Sequence, residues 1–184
     1  MTEALVRPSD PVTTSIDDDG RVVAARLETL YAAIADRSMR DLPVFNPALR
    51  VEAVGFRRDG DRVVGVIATP WFMNLVVTAA PGGPALPASA TGASVTHDFA
   101  GGGFDFVVGT LDGFGRIDGA SLFSPMFAFD DPAVVREVAR AAIAEVVTAP
   151  AEEEPTPATP AAEAPRLDRR ALLFGRRREE ASCR

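Results

Sequence analysis

The Asp-Gly pairs Asp59-Gly60 and Asp112-Gly113 each separate short runs of β-branched and aromatic residues. Glycine after aspartate supplies the left-handed backbone of a tight hairpin turn, so each pair forces its flanking runs to fold back as antiparallel strands. Around the first pair, Arg50 to Arg57 alternates, with Val51, Ala53 and Gly55 on one side and Glu52, Val54 and Phe56 on the other. Arg62 to Thr69 returns as a β-branched strand stopped by Pro70. Leu75 to Ala80, Ser94 to Phe99, Phe104 to Leu111 and Arg116 to Phe123 read as further strands. Between them, residues 81–94 are Pro, Gly, Ala, Ser and Thr, a long loop of the kind that carries flexibility or function.

Helical periodicity brackets this meander. Val23, Leu27, Leu30, Tyr31 and Ile34 recur at helical spacing, Asp17, Asp18 and Asp19 offer N-caps and favourable charge, and the helix ends before Pro43. At the other end Asp130 or Asp131 caps a helix with Pro132 in its first turn. Its expected buried stripe is Val134, Val135, Val138, Ala142, Ile143 and Val146. Helix, five or six strands and helix give an α+β domain, with both helices expected on one face of an antiparallel sheet.

That domain spans 20–148, after a flexible leader at 1–19. Residues 149–165 are alanine, proline, threonine and glutamate, a composition that buries too little apolar surface to order itself, and 166–184 form a basic tail. The formal net charge is −7, yet the tail carries seven arginines against three acids. An acidic body lacks the clustered basic face that phosphate binding requires, which argues against nucleic acid as a partner. No run approaches the roughly 20 apolar residues of a membrane helix, so an integral membrane protein is not expected. The single cysteine, Cys183, rules out an internal disulfide and a Cys-x-x-Cys metal site, and the expected location is cytoplasmic.

Candidate chemistry is sparse. His97 precedes Asp98 in a strand, where neighbouring side chains point to opposite faces and do not cooperate. Ser121 and Ser124 lack the glycine-flanked elbow of a hydrolase. Gly101-Gly102-Gly103 neither leads into a helix nor precedes a lysine, so it reads as a strand connection and not a phosphate loop. Carboxylate groups such as Asp17 to Asp19, Asp130-Asp131 and Glu152 to Glu154 fall at helix starts or in the linker. The expectation is no catalytic residue, no metal and no cofactor.

What stands out is apolar. Pro70-Trp71-Phe72-Met73-Asn74 follows one strand and Leu122-Phe123-Ser124-Pro125-Met126 ends another, each placing large side chains beside a proline where regular structure stops. Both fit core packing, and both fit a client-binding groove, where Trp and Met are favoured. In the tail, Leu172, Leu173 and Phe174 sit between arginine groups at the end of the linker, and exposed apolar residues there favour contact with another surface.

Four blocks in order carry a family resemblance: Ile34-Ala35-Asp36-Arg37-Ser38-Met39-Arg40-Asp41-Leu42-Pro43 with Asn46-Pro47-Ala48-Leu49, then Thr69 to Asn74, Ser121 to Met126, and Arg169 to Arg176. Over residues 22–148 and 166–178 the chain resembles the HybE/HupJ family of assembly chaperones for nickel–iron hydrogenases. The resemblance implies a non-enzymatic protein that holds the hydrogenase small subunit precursor, or its twin-arginine signal peptide, before export, alongside other hydrogenase maturation proteins. Where relatives often have Cys-Ser-Leu this chain has Ala120-Ser121-Leu122, which removes a thiol from that block.

Twin-arginine signals read approximately Ser/Thr-Arg-Arg-x-Phe-Leu-Lys. Arg169 and Arg170 match the two arginines and Leu172 and Leu173 the apolar offsets, while Asp168 and Phe174 depart from the pattern, and the tail from Arg169 to Phe174 is expected to mimic the client signal. The alternative from a different class is a small-molecule-binding domain or cryptic enzyme using a pocket near residues 70–94.

Overall fold

The computed structural model describes residues 15–148. The linker and tail, with Arg169, Arg170, Leu172, Leu173 and Phe174, lie outside the described residues, as does most of the leader. Helix α1 (Ser15–Ile34) runs into a π-helical turn, Ala35–Met39. Six strands follow: β1 (Glu52–Asp59), β2 (Arg62–Ala68), β3 (Met73–Ala79), β4 (Ser94–Phe99), β5 (Gly102–Leu111) and β6 (Gly115–Phe123). Helix α2 (Pro132–Val147) closes the domain. All pairings are antiparallel, in the order β1-β2-β3-β6-β5-β4.

The expected α+β architecture is present, but the strands do not form a simple meander, because β3 pairs with β6 and leaves β4 at the edge, and the layering changes as well. Val63 and Ile67 of β2 and Val76 of β3 pack with Val23 and Leu27 of α1. Their neighbours Val64, Val66, Leu75 and Val77 pack with Val135, Ala139, Ile143 and Val146 of α2. Adjacent residues of a strand face opposite ways, so the two helices lie on opposite faces and not on one. The continuous apolar runs of β2 and β3 have this cause, because strands covered on both sides lose the alternation of a half-solvated sheet. Each fully buried Val, Leu or Ile there contributes roughly 1.5–3 kcal/mol.

Three local readings also change. The first helix begins at Ser15, so Asp18 and Asp19 belong to its opening turns and do not cap it, although their charge there remains favourable. In β1 the register slips by one residue between Val54 and Arg57, and the extra residue forms a bulge at Gly55 (φ +66°). Phe56 thereby joins Val51 and Ala53 on the α1 side, while Val54 packs on the α2 side. Finally, Val134 is 46% exposed and lies outside the buried stripe of α2, where Ala139 takes the inward position.

The hairpin turns are as read. Gly60-Asp61 joins Asp59 to Arg62, and Phe99 pairs with Gly102 around Ala100-Gly101. Asp131 caps α2 through the Ala133 amide at 2.7 Å. Gly101 donates its N–H to the Val146 carbonyl at 2.9 Å, fastening the β4–β5 turn to the end of α2. A Cβ at Gly101 would sit 2.0 Å from the Glu145 carbonyl oxygen. Gly101→Ala is expected to cost about 1–3 kcal/mol in chemical denaturation, since backbone on both sides must move.

Arg136 of α2 holds both carboxylate oxygens of Glu52 at 2.9 and 3.0 Å, and Arg50 adds a bond at 2.7 Å. Burial raises the Glu52 pKa, but these arginine hydrogen bonds outweigh it and leave the group below its usual 4.5. A folded pKa below the unfolded one gives stability that is present above the unfolded value and is lost as pH falls through the folded one. The stability advantage of the wild-type chain over Glu52→Gln should therefore shrink in urea melts as pH falls below about 5 and on through the folded pKa of Glu52.

Candidate functional site

The two apolar blocks that are distant in sequence meet at one end of the sheet. Met73 pairs with Phe123 across β3 and β6, with a register shift between Met73 and Asn74. Thr69 shapes the first block. Its hydroxyl accepts from the Trp71 and Phe72 amides at 3.2 and 2.9 Å, while its own N–H reaches the Phe72 carbonyl at 2.8 Å. This closed turn sets the Trp71 ring, which stacks on Phe45 (6.3 Å) and meets Phe72 edge-on (5.6 Å). Phe72 in turn meets Tyr31 of α1 edge-on at 5.6 Å.

Asn46 ties three loops together. Its N–H donates to the Pro70 carbonyl (2.9 Å), and its carboxamide donates to the carbonyls of Met126 (3.0 Å) and Phe129 (2.7 Å). Its Oδ1 accepts from the Ala48 amide at 3.1 Å. Asn46 is buried and every polar atom of its side chain is used, so the loops at 42–49, 69–72 and 123–129 are held as one unit.

Within this unit the ten residues singled out from sequence separate into layers. Met73 and Met126 are fully buried, Leu122 and Phe72 pack on the two cores, and Trp71 is half-buried. Pro70 is buried, whereas Ser124 and Pro125, joined by a cis peptide bond, are exposed. Phe123 is exposed beside Phe129. Asn74 turns to the α1 face, toward Gly119. The methionines therefore form the base of this end and not its surface. The outward apolar groups include Leu42, Val44, Phe127 and Val134, each at least 41% exposed. No periodicity marks Leu42, Val44 or Phe127 in the sequence, and that of the last helix placed Val134 inside. Leu42 and the Asn46 tie lie in the family-like blocks, but a contact across about 80 residues has no local signature.

A second polar cluster occupies the opposite end of the sheet. His97 Nε2 lies 2.9 Å from Asp118, and Arg116 binds both oxygens of that carboxylate at 2.9 Å. Arg62 Nη1 is 3.3 Å from His97 Nδ1. A guanidinium only donates, so Nδ1 accepts and Nε2 carries the proton toward Asp118. Arg62 also stacks on Phe99 at 4.1 Å. The sequence predicts no cooperation between His97 and Asp98, and the partner that it does not reveal is Asp118, on β6. A cavity of about 780 Å³, lined in part by Leu86, Val95, His97, Arg62 and Arg116, opens beside this cluster under the 84–89 loop. Among the described residues there is no metal-binding cluster and no helix long and apolar enough to cross a membrane.

Comparison with known proteins accords with the block pattern. The profile of the family described as "[NiFe]-hydrogenase assembly, chaperone, HybE" matches residues 22–175. The chain is 42% identical over 145 residues to the hydrogenase expression/formation protein HupJ of Bradyrhizobium diazoefficiens, covering 79% of this chain and 83% of that protein. It is 30% identical over 161 residues to the hydrogenase-2 operon protein HybE of Escherichia coli K12, covering 85% and 91%. The solution structure of HybE from Escherichia coli superimposes with a TM-score of 0.56 at 24% identity, over 89% of this chain and 93% of that one, a likeness of fold. With its ordered blocks, its sheet and its two helices, the chain belongs to the HybE family of [NiFe]-hydrogenase assembly chaperones.

Proposed function

We propose that this chaperone holds the small subunit precursor of an exported hydrogenase before export, in the cytoplasm, and that it does so without catalysing a reaction. The observation that carries the reading is the apolar end organised by Asn46. Five of the large hydrophobic side chains that reach solvent, Leu42, Val44, Phe123, Phe127 and Val134, lie on or next to the loops it joins. Exposed apolar groups gathered over a rigid base suit a polypeptide client, because the surface is ordered before binding and little entropy is lost on contact.

The opposing reading, a small-molecule site under the 84–89 loop, has a cavity of suitable size. Its only histidine, however, is committed at both nitrogens, and the arginines beside it are spent on Asp118, Asp59 and ring stacking. Such internal pairing supports a structural role that anchors β4 and the loop to the sheet, with Arg116 also donating to the Pro87 carbonyl.

The surface is testable because its outermost residues bear little of the fold. Phe123→Ser with Phe127→Ser should keep the fold at a cost of about 1–2 kcal/mol, most of it at Phe123, whose ring meets Phe129 edge-on. It should also lower the amount of hydrogenase small subunit precursor that co-purifies by about tenfold or more, since anchor residues of an interface carry about 2 kcal/mol each. Undiminished co-purification of precursor with a folded variant moves the binding surface elsewhere.

The tail, 166–184, extends this reading. Arg169 and Arg170, with Leu172, Leu173 and Phe174, are proposed to compete for the place of the client's signal peptide. Tethering through a linker of this length gives an effective concentration on the order of millimolar, enough for a weak segment to compete. Removing residues 166–184 should tighten binding of a hydrogenase signal peptide in calorimetry. Unchanged affinity ends the competitor idea, and weakened affinity makes the tail part of the docking surface.

A further inference from the structure

Helix α1 packs on β1 and β2 and leaves the β6 and β5 side of its face without a helix. A pocket of about 290 Å³ lies there between Tyr31 of α1 and the strands, floored by Gly109 and Gly119 and edged by Val107. Its lining contains no charged residue. Two polar side chains line it without a hydrogen bond among the described residues. The Asn74 carboxamide makes none, and its Oδ1 is buried from water. The Tyr31 hydroxyl makes none either, and burial raises its pKa above the usual 10.0. A buried amide oxygen is ordinarily paired within a protein, so the unpaired Asn74 Oδ1 on this pocket points to a partner from outside, and the Tyr31 hydroxyl beside it can add a second bond.

The chemistry of that partner follows from the lining. A carboxamide offers a donor and an acceptor side by side, which complements the N–H and C=O of a peptide backbone, and the tyrosine hydroxyl can serve either part. Glycine at 109 and 119 removes the side chains that would keep a backbone from the sheet, and Val107, 55% exposed, offers an apolar contact at the rim. A charged group would be stranded here without a counter-ion. We infer that the Tyr31–Asn74–Gly119 pocket binds an uncharged, extended segment of the client polypeptide through its backbone. The pocket is a second contact, joined to the Asn46 end by the aromatic chain Tyr31–Phe72–Trp71–Phe45. This inference rests on the client reading above.

A Cβ at Gly119 would meet only the Asn74 Nδ2, at 3.8 Å, so side chains added there grow into the pocket without disturbing the sheet. Short synthetic peptides tiled across the small subunit precursor would be titrated into the full chain while the Asn74 side-chain amide is followed by NMR. Uncharged peptides are expected to shift that signal, and Gly119→Val to weaken them about tenfold or more. Asn74→Leu is expected to weaken them comparably while keeping or raising the melting temperature, since it removes an unpaired buried polar group. Binding that leaves the Asn74 signal unmoved, binding indifferent to both substitutions, a preference for charged peptides, or no peptide binding overturns the pocket. Co-purification separates the two ideas. If the Gly119→Val chain retains full-length precursor undiminished and the Phe123→Ser, Phe127→Ser chain loses it, the pocket fails and the client reading stands. If wild-type chain retains no precursor, the client reading fails.

Discussion

The pairing of β2 with β3, apolar on both faces, is the constraint on which the rest of the structure depends. Val63, Val64, Val66 and Ile67 are all fully buried, as is Val77 of the neighbouring strand, and a pair of strands with two apolar faces must be covered twice. The two helices meet that demand from opposite sides. Glu52 and Arg136 then join the edge strand β1 to α2, and Glu28 of α1 accepts the Ala53 amide at 2.7 Å, satisfying an N–H that the edge would otherwise expose.

Concentrating both helices on one half of the sheet has a consequence for the other half. Strands β6, β5 and β4 carry loops and small clusters where a helix would lie, and these are the regions that hold the polar His97–Asp118 group, the glycine-floored pocket and the joined loops at the end of β6. A chaperone needs apolar surface that is displayed yet does not collapse. The client surface we propose stands on fully buried Met73 and Met126, and the Asn46 ties keep its loops together.

Much of this was legible in the chain. Asp-Gly turns, strand runs, the Asp131-Pro132 start of α2 and the two apolar blocks are written in neighbouring residues, and each is found where the pattern places it, within one to three residues at the ends. What was misread shares one cause. The pairing of β3 with β6, the two helices on opposite faces and the Asp118 that holds His97 all went unread, because in each case a residue far along the chain decided the outcome.

The sequence by itself determined the local elements, the two antiparallel Asp-Gly hairpins and the block pattern that places the chain among hydrogenase assembly chaperones, since turn geometry, periodicity and composition act over a few residues. Tertiary structure alone decided which face each helix covers and which members of the apolar blocks become base or surface. It also decided which polar groups stay unpaired. Those choices depend on burial and on hydrogen bonds between loops up to 83 residues apart, and such contacts exist only once the sheet has closed.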